Sequence, residues 1–183
     1  MQDLMLIKMA RFFLDNPYRE AYLRQLAKIL KISPFAAKKY ADFLSKEGLI
    51  AEERRANLRY LKANAGNLFF KYLKIAHSIN LLLKSGLVDF LKGNIANVSS
   101  IVLFGSMAKG ENDKKSDIDL LVIGQEKYIG LGQFEEKLGC EVTAHIYSWS
   151  KWNKKAKGDP AFYNEVTGHG IPLYGELPII KWK

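Results

Sequence analysis

Residues 105–120 read GSMAKGENDKKSDIDL, and they concentrate the side chains best suited to chemistry in this chain. Asp117 and Asp119 alternate with Ile118 and Leu120 at the start of an apolar run. In a strand, alternate side chains share a face, so the two carboxylates project together while Ile118 and Leu120 bury on the other side. Like charges held that close disfavour folding unless a cation lies between them. Gly105 and Ser106 end the apolar, β-branched stretch 98–104. A glycine there lets backbone N–H groups approach a phosphate, a serine hydroxyl adds a donor, and a helix starting at Ser106 would favour the same anion. Lys109 adds a positive charge. Paired carboxylates behind a phosphate-sized turn point to a divalent cation, naturally magnesium, and a nucleoside triphosphate.

Such a site needs a sheet to hold it, and the chain is long enough to build one. Its 183 residues allow one large domain or two small ones, and 48% hydrophobic with 26% charged residues is ordinary for a folded protein. No apolar stretch is long enough to span a bilayer, and the N-terminus lacks the pattern of a signal peptide. Cys140 is the only cysteine, which excludes an intrachain disulfide and a cysteine-cluster metal site. A cytoplasmic location, with no membrane association, is the expectation. The net charge of +9 is uneven: residues 1–65 carry 13 Lys and Arg against 7 Asp and Glu, a net of +6. A polyanion partner is expected for that part.

The N-terminal sixty or so residues carry helical periodicity three times. Leu6, Met9, Ala10 and Phe13 share a face, and Asn16-Pro17 ends that helix. A second helix runs through residues 20–30, with Leu23, Leu26, Ala27 and Leu30 on one side. Ser33 caps a third that opens with Pro34, and Gly48 closes it in the left-handed conformation. Leu49-Ile50-Ala51 and Leu58-Arg59-Tyr60-Leu61 then read as two strands around a charged turn. This order resembles a winged helix-turn-helix domain. The resemblance implies double-stranded DNA as partner, with Lys38, Lys39 and Tyr40 on the third helix and Arg54, Arg55 and Arg59 on the wing. Asn57 lies in the same turn. A fold kept for protein contacts is the plainer alternative.

Residues 67–85 form one amphipathic helix, with Leu68, Tyr72, Ile75, Ile79 and Leu82 at three- and four-residue steps. It can pack between domains or against its copy in a homodimer, and His77 within it reads as structural. The expected division is 1–65, a connector over 66–94, and a second domain over 95–183. In that last part GSMAKG followed by SDIDLLV resembles the signature of the nucleotidyltransferase superfamily, and most closely its minimal nucleotidyltransferases. The resemblance covers about residues 95–175. It implies an α+β chain: a winged helix followed by a small α/β domain on a mixed sheet. Gly105, Ser106, Lys109 and Ser116 would bind nucleotide, and Asp117 and Asp119 would bind two magnesium ions. The family's third carboxylate, usually aspartate, falls on Glu141, the one acid of the strand candidate 140–146, and Lys109 stands where many relatives have arginine.

The resemblance further implies transfer of AMP from ATP to a hydroxyl, with a partner protein such as a HEPN-type toxin as acceptor. The alternative is a DNA-binding regulator whose second domain senses nucleotide or is inert, and Glu141 in place of aspartate keeps it open. Residues 148–158 and 159–170 read as helices and 171–175 as a short strand. The lysines at 151, 154, 155 and 157 read as a solvated helix face, and His145 as a structural histidine near the site wall.

Overall fold

The computed structural model describes residues 2–181, and the chain divides into two compact units, Met1–Lys74 and Ile75–Lys183. The division falls inside the stretch expected to connect two domains. The first unit contains α1 (Gln2–Asp15), β1 (Ala21–Tyr22), α2 (Leu23–Leu30), α3 (Pro34–Lys46), β2 (Ile50–Arg55) and β3 (Leu58–Ala63). Its strands form an antiparallel sheet in the order β1-β3-β2. The second helix starts later than its periodicity suggests, because Ala21 and Tyr22 pair with Leu61 and Tyr60 instead. Ser33 accepts a hydrogen bond from the Ala36 N–H at 3.1 Å, Pro34 occupies the first turn, and Gly48 has φ +71 just beyond the helix, as the capping residues predict. Met9, Phe13, Leu26, Ala37, Leu44 and Leu61 are buried in this unit's core.

The helix α4 (Leu68–Ser85) runs across the division, and α5 (Leu87–Asn94) follows it after the left-handed Gly86. The second unit then alternates strands and helices: β4 (Ser100–Phe104), α6 (Gly105–Lys109), β5 (Ile118–Ile123), α7 (Gly132–Leu138), β6 (Val142–Tyr147), α8 (Trp149–Gly158), α9 (Pro160–His169) and β7 (Ile171–Gly175). The sheet order is β6-β5-β4-β7. Only β5 and β6 run parallel, so the sheet is mixed, as expected. The short helices α5 and α7 carry too few residues for their periodicity to stand out in the sequence.

Residue alternation assigns the two faces. Ile101, Leu103, Ile118, Leu120, Val122 and Val142 pack with Leu87, Leu91 and Phe134 on one side. Val102, Phe104, Leu121 and Ile123 pack on the other with Trp152 and Val166, from α8 and α9. Because both faces are covered, β5 is almost wholly apolar, and Asp119 is its one charged residue. No helix among the described residues is long and apolar enough to cross a membrane.

Trp152 anchors the second face. It has 0% exposure, its indole N–H donates to the Pro178 carbonyl at 2.8 Å, and its ring lies 5.6 Å from that of Tyr163 and 6.0 Å from that of Phe162. Trp152→Ala therefore removes a large buried ring and leaves a carbonyl without its donor, a loss of about 3–5 kcal/mol. Denaturant unfolding that shows less than about 1 kcal/mol would contradict this packing.

Candidate active site

The antiparallel pairing of β4 with β5 puts Phe104 opposite Asp119, so the residue after Phe104 meets the aspartate. That residue is Gly105, with φ +73, and a Cβ built on it would lie 2.6 Å from Asp119 Oδ2. Only glycine satisfies both the left-handed backbone and the close approach of the carboxylate. Ser106 follows in the first turn of α6, and Gly110, with φ +70, ends that helix. Asp117 stands exposed one residue before β5, on the same side as Asp119 by strand alternation. The sequence spacing thus brings Gly105, Ser106, Asp117 and Asp119 to one end of the sheet.

The parallel register with β6 sets the neighbouring side chains. Thr143 is level with Asp119, and His145 is level with Leu121. Burial, with the charges of Asp117 and Glu165, pushes Asp119 above the usual aspartate range, and His145 opposes that rise. Burial chiefly pushes His145 down, against the pull of Asp119 and assisted by Lys155. Its ring lies 5.8 Å from that of Phe104 and 5.5 Å from that of Phe162, so it forms an aromatic wall beside the carboxylate. Cys140 is raised by burial and by the nearby charges of Asp117 and Glu135, which leaves it a thiol.

Three candidates sit differently from expectation. Lys109 is paired with Glu165 of α9, its Nζ 2.7 Å from Oε1, and this hydrogen bond raises the lysine's pKa. The Ser116 hydroxyl closes a turn instead of facing a ligand, accepting from the Asp113 N–H at 2.8 Å and contacting the Asp113 carboxylate at 3.2 Å. Glu141 lies one residue ahead of β6, where its carbonyl accepts from the Ile118 N–H at 2.9 Å, but its side chain is exposed. Among the described residues, no group of three or more His, Cys, Asp or Glu could hold a metal ion. The structure therefore brings together Asp117 and Asp119, and the register sets Glu141 level with Asp117, one residue ahead of β6. Glu165, which the sequence reading missed, is the further acid felt by Asp119. The stretch Asn164-Glu165-Val166 resembles the tail of the minimal nucleotidyltransferases, but only the fold brings Glu165 beside α6.

The basic candidates of the first unit also separate. Lys38 and Lys39 are exposed on α3, whereas Tyr40 is only 8% exposed and belongs to the core, so it is corrected from a contact residue to a packing residue. Helical periodicity turns its side chain inward beside Ala37, Ala41 and Leu44. Arg59 is likewise held inside the fold: its guanidinium bridges Asp42 of α3 and Glu52 of β2 at 2.6 Å each, and its side chain is 16% exposed. Arg55 is paired with Glu20 and Glu53 and lies over the Tyr60 ring. Arg54, 84% exposed, meets Glu52 at 4.0 Å.

Residues 84–169 match the nucleotidyltransferase domain family. Putative protein adenylyltransferase MJ0604 of Methanocaldococcus jannaschii is 32% identical over 81 residues, which span 42% of this chain and 79% of that protein. A crystal structure of a toxin-antitoxin with AMP-PNP superposes with a TM-score of 0.37 at 21% identity, covering 54% of this chain and 73% of that one. A mutant of the toxin-antitoxin MntA-HpeT gives 0.35 at 18% identity, over 49% and 70%.

The raised Asp119 pKa has a consequence for stability. The folded protein holds that proton more tightly than the unfolded chain, so stability falls as pH rises from about 3.8 through the raised value, and the deficit persists at neutral pH. In the absence of divalent metal, Asp119→Asn should melt at a higher temperature than wild type at pH 7. The advantage should shrink as the pH approaches 3.8. Equal melting temperatures across that range would show that the carboxylate is not strained by its surroundings.

Proposed function

The chain belongs to the nucleotidyltransferase family, and on that footing we propose that it transfers AMP from ATP to a hydroxyl group of a partner protein. The observation that carries this reading is the contact of Asp119 Oδ2 with Gly105, which sets a carboxylate against the turn where a triphosphate would lie. The name of the Methanocaldococcus jannaschii relative, a protein adenylyltransferase, supports a protein as acceptor. The family resemblance adds a HEPN-type toxin as the kind of partner.

A divalent cation fits the residues present. Asp119 is raised by burial and by two neighbouring acids, and the lysine nearest the turn is already paired with Glu165, so the site has an excess of negative charge. Asp117 and Asp119 would hold magnesium, with phosphate oxygens and water completing its shell. Bound there, the metal would polarise the phosphate and neutralise developing charge. In the transfer, the acceptor oxygen bonds to the α-phosphorus and the bond to the bridging oxygen breaks. Pyrophosphate departs, and the hydroxyl proton passes to a site carboxylate. Gly105 and the Ser106 hydroxyl orient the triphosphate, while Lys109 must exchange Glu165 for phosphate. Phe104, His145 and Phe162 exclude water from one side of Asp119.

Calorimetric titration with ATP tests the site. Wild type should bind only with magnesium, and Asp119→Asn should lose at least about tenfold in affinity, the lower end of the range for disturbing even a metal ligand's outer partner. Magnesium-independent binding, or none by either protein, would remove the metal-nucleotide reading. Glu141→Gln should leave binding within about threefold, since its carboxylate is exposed and, among the described residues, no group of three acids could hold a metal.

We further propose that the first unit is a winged helix that binds double-stranded DNA, with Lys38 and Lys39 on α3 and Arg54 on the β2–β3 hairpin at the phosphates. The net charge of residues 1–65 supports this, and so do the exposed positions of these side chains. The second reading, a DNA-binding regulator with a non-transferring nucleotide domain, is favoured by the lack, among the described residues, of a third acid grouped with the pair to hold a metal. Anisotropy titrations on a random-sequence duplex at several salt concentrations bear on both. Arg54→Ala should lower the slope of log affinity against log salt by about one. An unchanged slope would take Arg54 off the DNA. Arg59→Ala should instead lower the melting temperature, because it strands Asp42 and Glu52.

A further inference from the structure

Among the described residues, the strand β6 is an edge of the four-stranded sheet, paired with β5 alone. The Ile118 N–H bonds to the Glu141 carbonyl and the Gly124 N–H to the Tyr147 carbonyl. Given the parallel register, residues 141, 143, 145 and 147 therefore turn their backbone toward β5. Ala144 and Ile146 turn theirs outward, and Val142 does too, although its N–H is taken by the Glu135 carboxylate at 3.1 Å. The outward edge faces a cleft of about 410 Å³ whose far wall is the segment Lys127–Gly132. That wall supplies Ile129 and Leu131, while Tyr128 stands at 93% exposure beside it.

We infer that this cleft binds an extended segment of the acceptor protein, which adds as a fifth strand on β6. This rests on the adenylyl-transfer reading. A row of outward N–H and C=O groups is matched by another strand's backbone, and the apolar wall suits alternate side chains. Register also connects the cleft to the chemistry. Thr143, level with Asp119, belongs to the cleft lining. A strand added to β6 lies two strand spacings from β5, roughly 10 Å. Its residues alternate between two faces. On one they meet Ala144, Ile146, Ile129 and Leu131, and on the other they stand beside Thr143 and His145, the side that carries Asp119. The acceptor chemistry is thus a hydroxyl residue flanked on each side by apolar ones, in extended conformation.

Hydrogen exchange of the Ala144 and Ile146 amides in the full chain, followed by NMR, tests this without requiring turnover. The probe is a peptide in which valine alternates with threonine between terminal lysines. Both amides should exchange at least about tenfold more slowly with the peptide, while those of Leu120 and Val122 stay unchanged. The same peptide N-methylated along its valine–threonine segment should give no protection. Unaltered exchange at both amides, or equal protection by the methylated peptide, would overturn the proposal. Ala144→Pro should abolish protection at Ile146 while leaving magnesium-ATP binding intact, and retained protection would also overturn it. If the amides are protected but magnesium-ATP does not bind, the transfer reading falls and the edge site stands.

Discussion

The second unit is organised around a carboxylate placed in a strand that is otherwise apolar. Ile118, Leu120, Leu121, Val122 and Ile123 are all buried, and their packing fixes the register of β5 against β4. A one-residue slip would turn every one of them to the wrong face. The register that buries them also forces Asp119 opposite Phe104 and against the glycine that follows. Hydrophobic burial therefore holds the acid where its own electrostatics oppose it, and the raised pKa records that opposition. The left-handed Gly105 is the local accommodation of a constraint set by the whole sheet.

Much of this could be read from the sequence because it is local. The Asp117–Asp119 alternation, the Gly105-Ser106 turn, the Ser33-Pro34 helix start and the left-handed Gly48 depend on neighbours within a few residues, and the structure has each of them. What escaped depends on contacts distant in sequence. Glu165 lies 56 residues from Lys109 and meets it only because α9 packs beside α6. Tyr40 and Lys39 are adjacent in the chain, yet one is buried and the other exposed, and the helix-facing pattern of Ala37, Ala41 and Leu44 is the signal that separates them. Ser116 could have been recognised as a turn residue from Asp113, since an aspartate three residues ahead of a serine readily closes a turn.

The charge of the first unit is divided in a related way. The first unit carries a clear excess of Lys and Arg, but part of that charge is used to hold its own sheet and helices together. Arg59 ties α3 to the β2–β3 hairpin through Asp42 and Glu52, and Arg55 ties the hairpin to Glu20. A guanidinium with two carboxylate partners has little left to offer a phosphate. A surface for a polyanion would be narrower than the composition implies, on the exposed side of α3 and at the hairpin tip.

The same accounting applied to the second unit explains why cation and nucleotide should act as one ligand. Lys109 is the basic residue beside the phosphate turn, and in the free protein Glu165 holds it. A triphosphate that takes Lys109 releases Glu165, whose charge already bears on Asp119. Binding phosphate alone would then add negative charge to a site that has just lost its internal pair. A divalent cation alone would meet Asp117 and Asp119 with few other ligands, since no group of three or more acids, histidines or cysteines among the described residues could hold it. Each partner supplies what the other lacks, the phosphate its oxygens and the metal its charge. The nucleotide's own oxygens would then complete the metal's coordination shell beside the two aspartates.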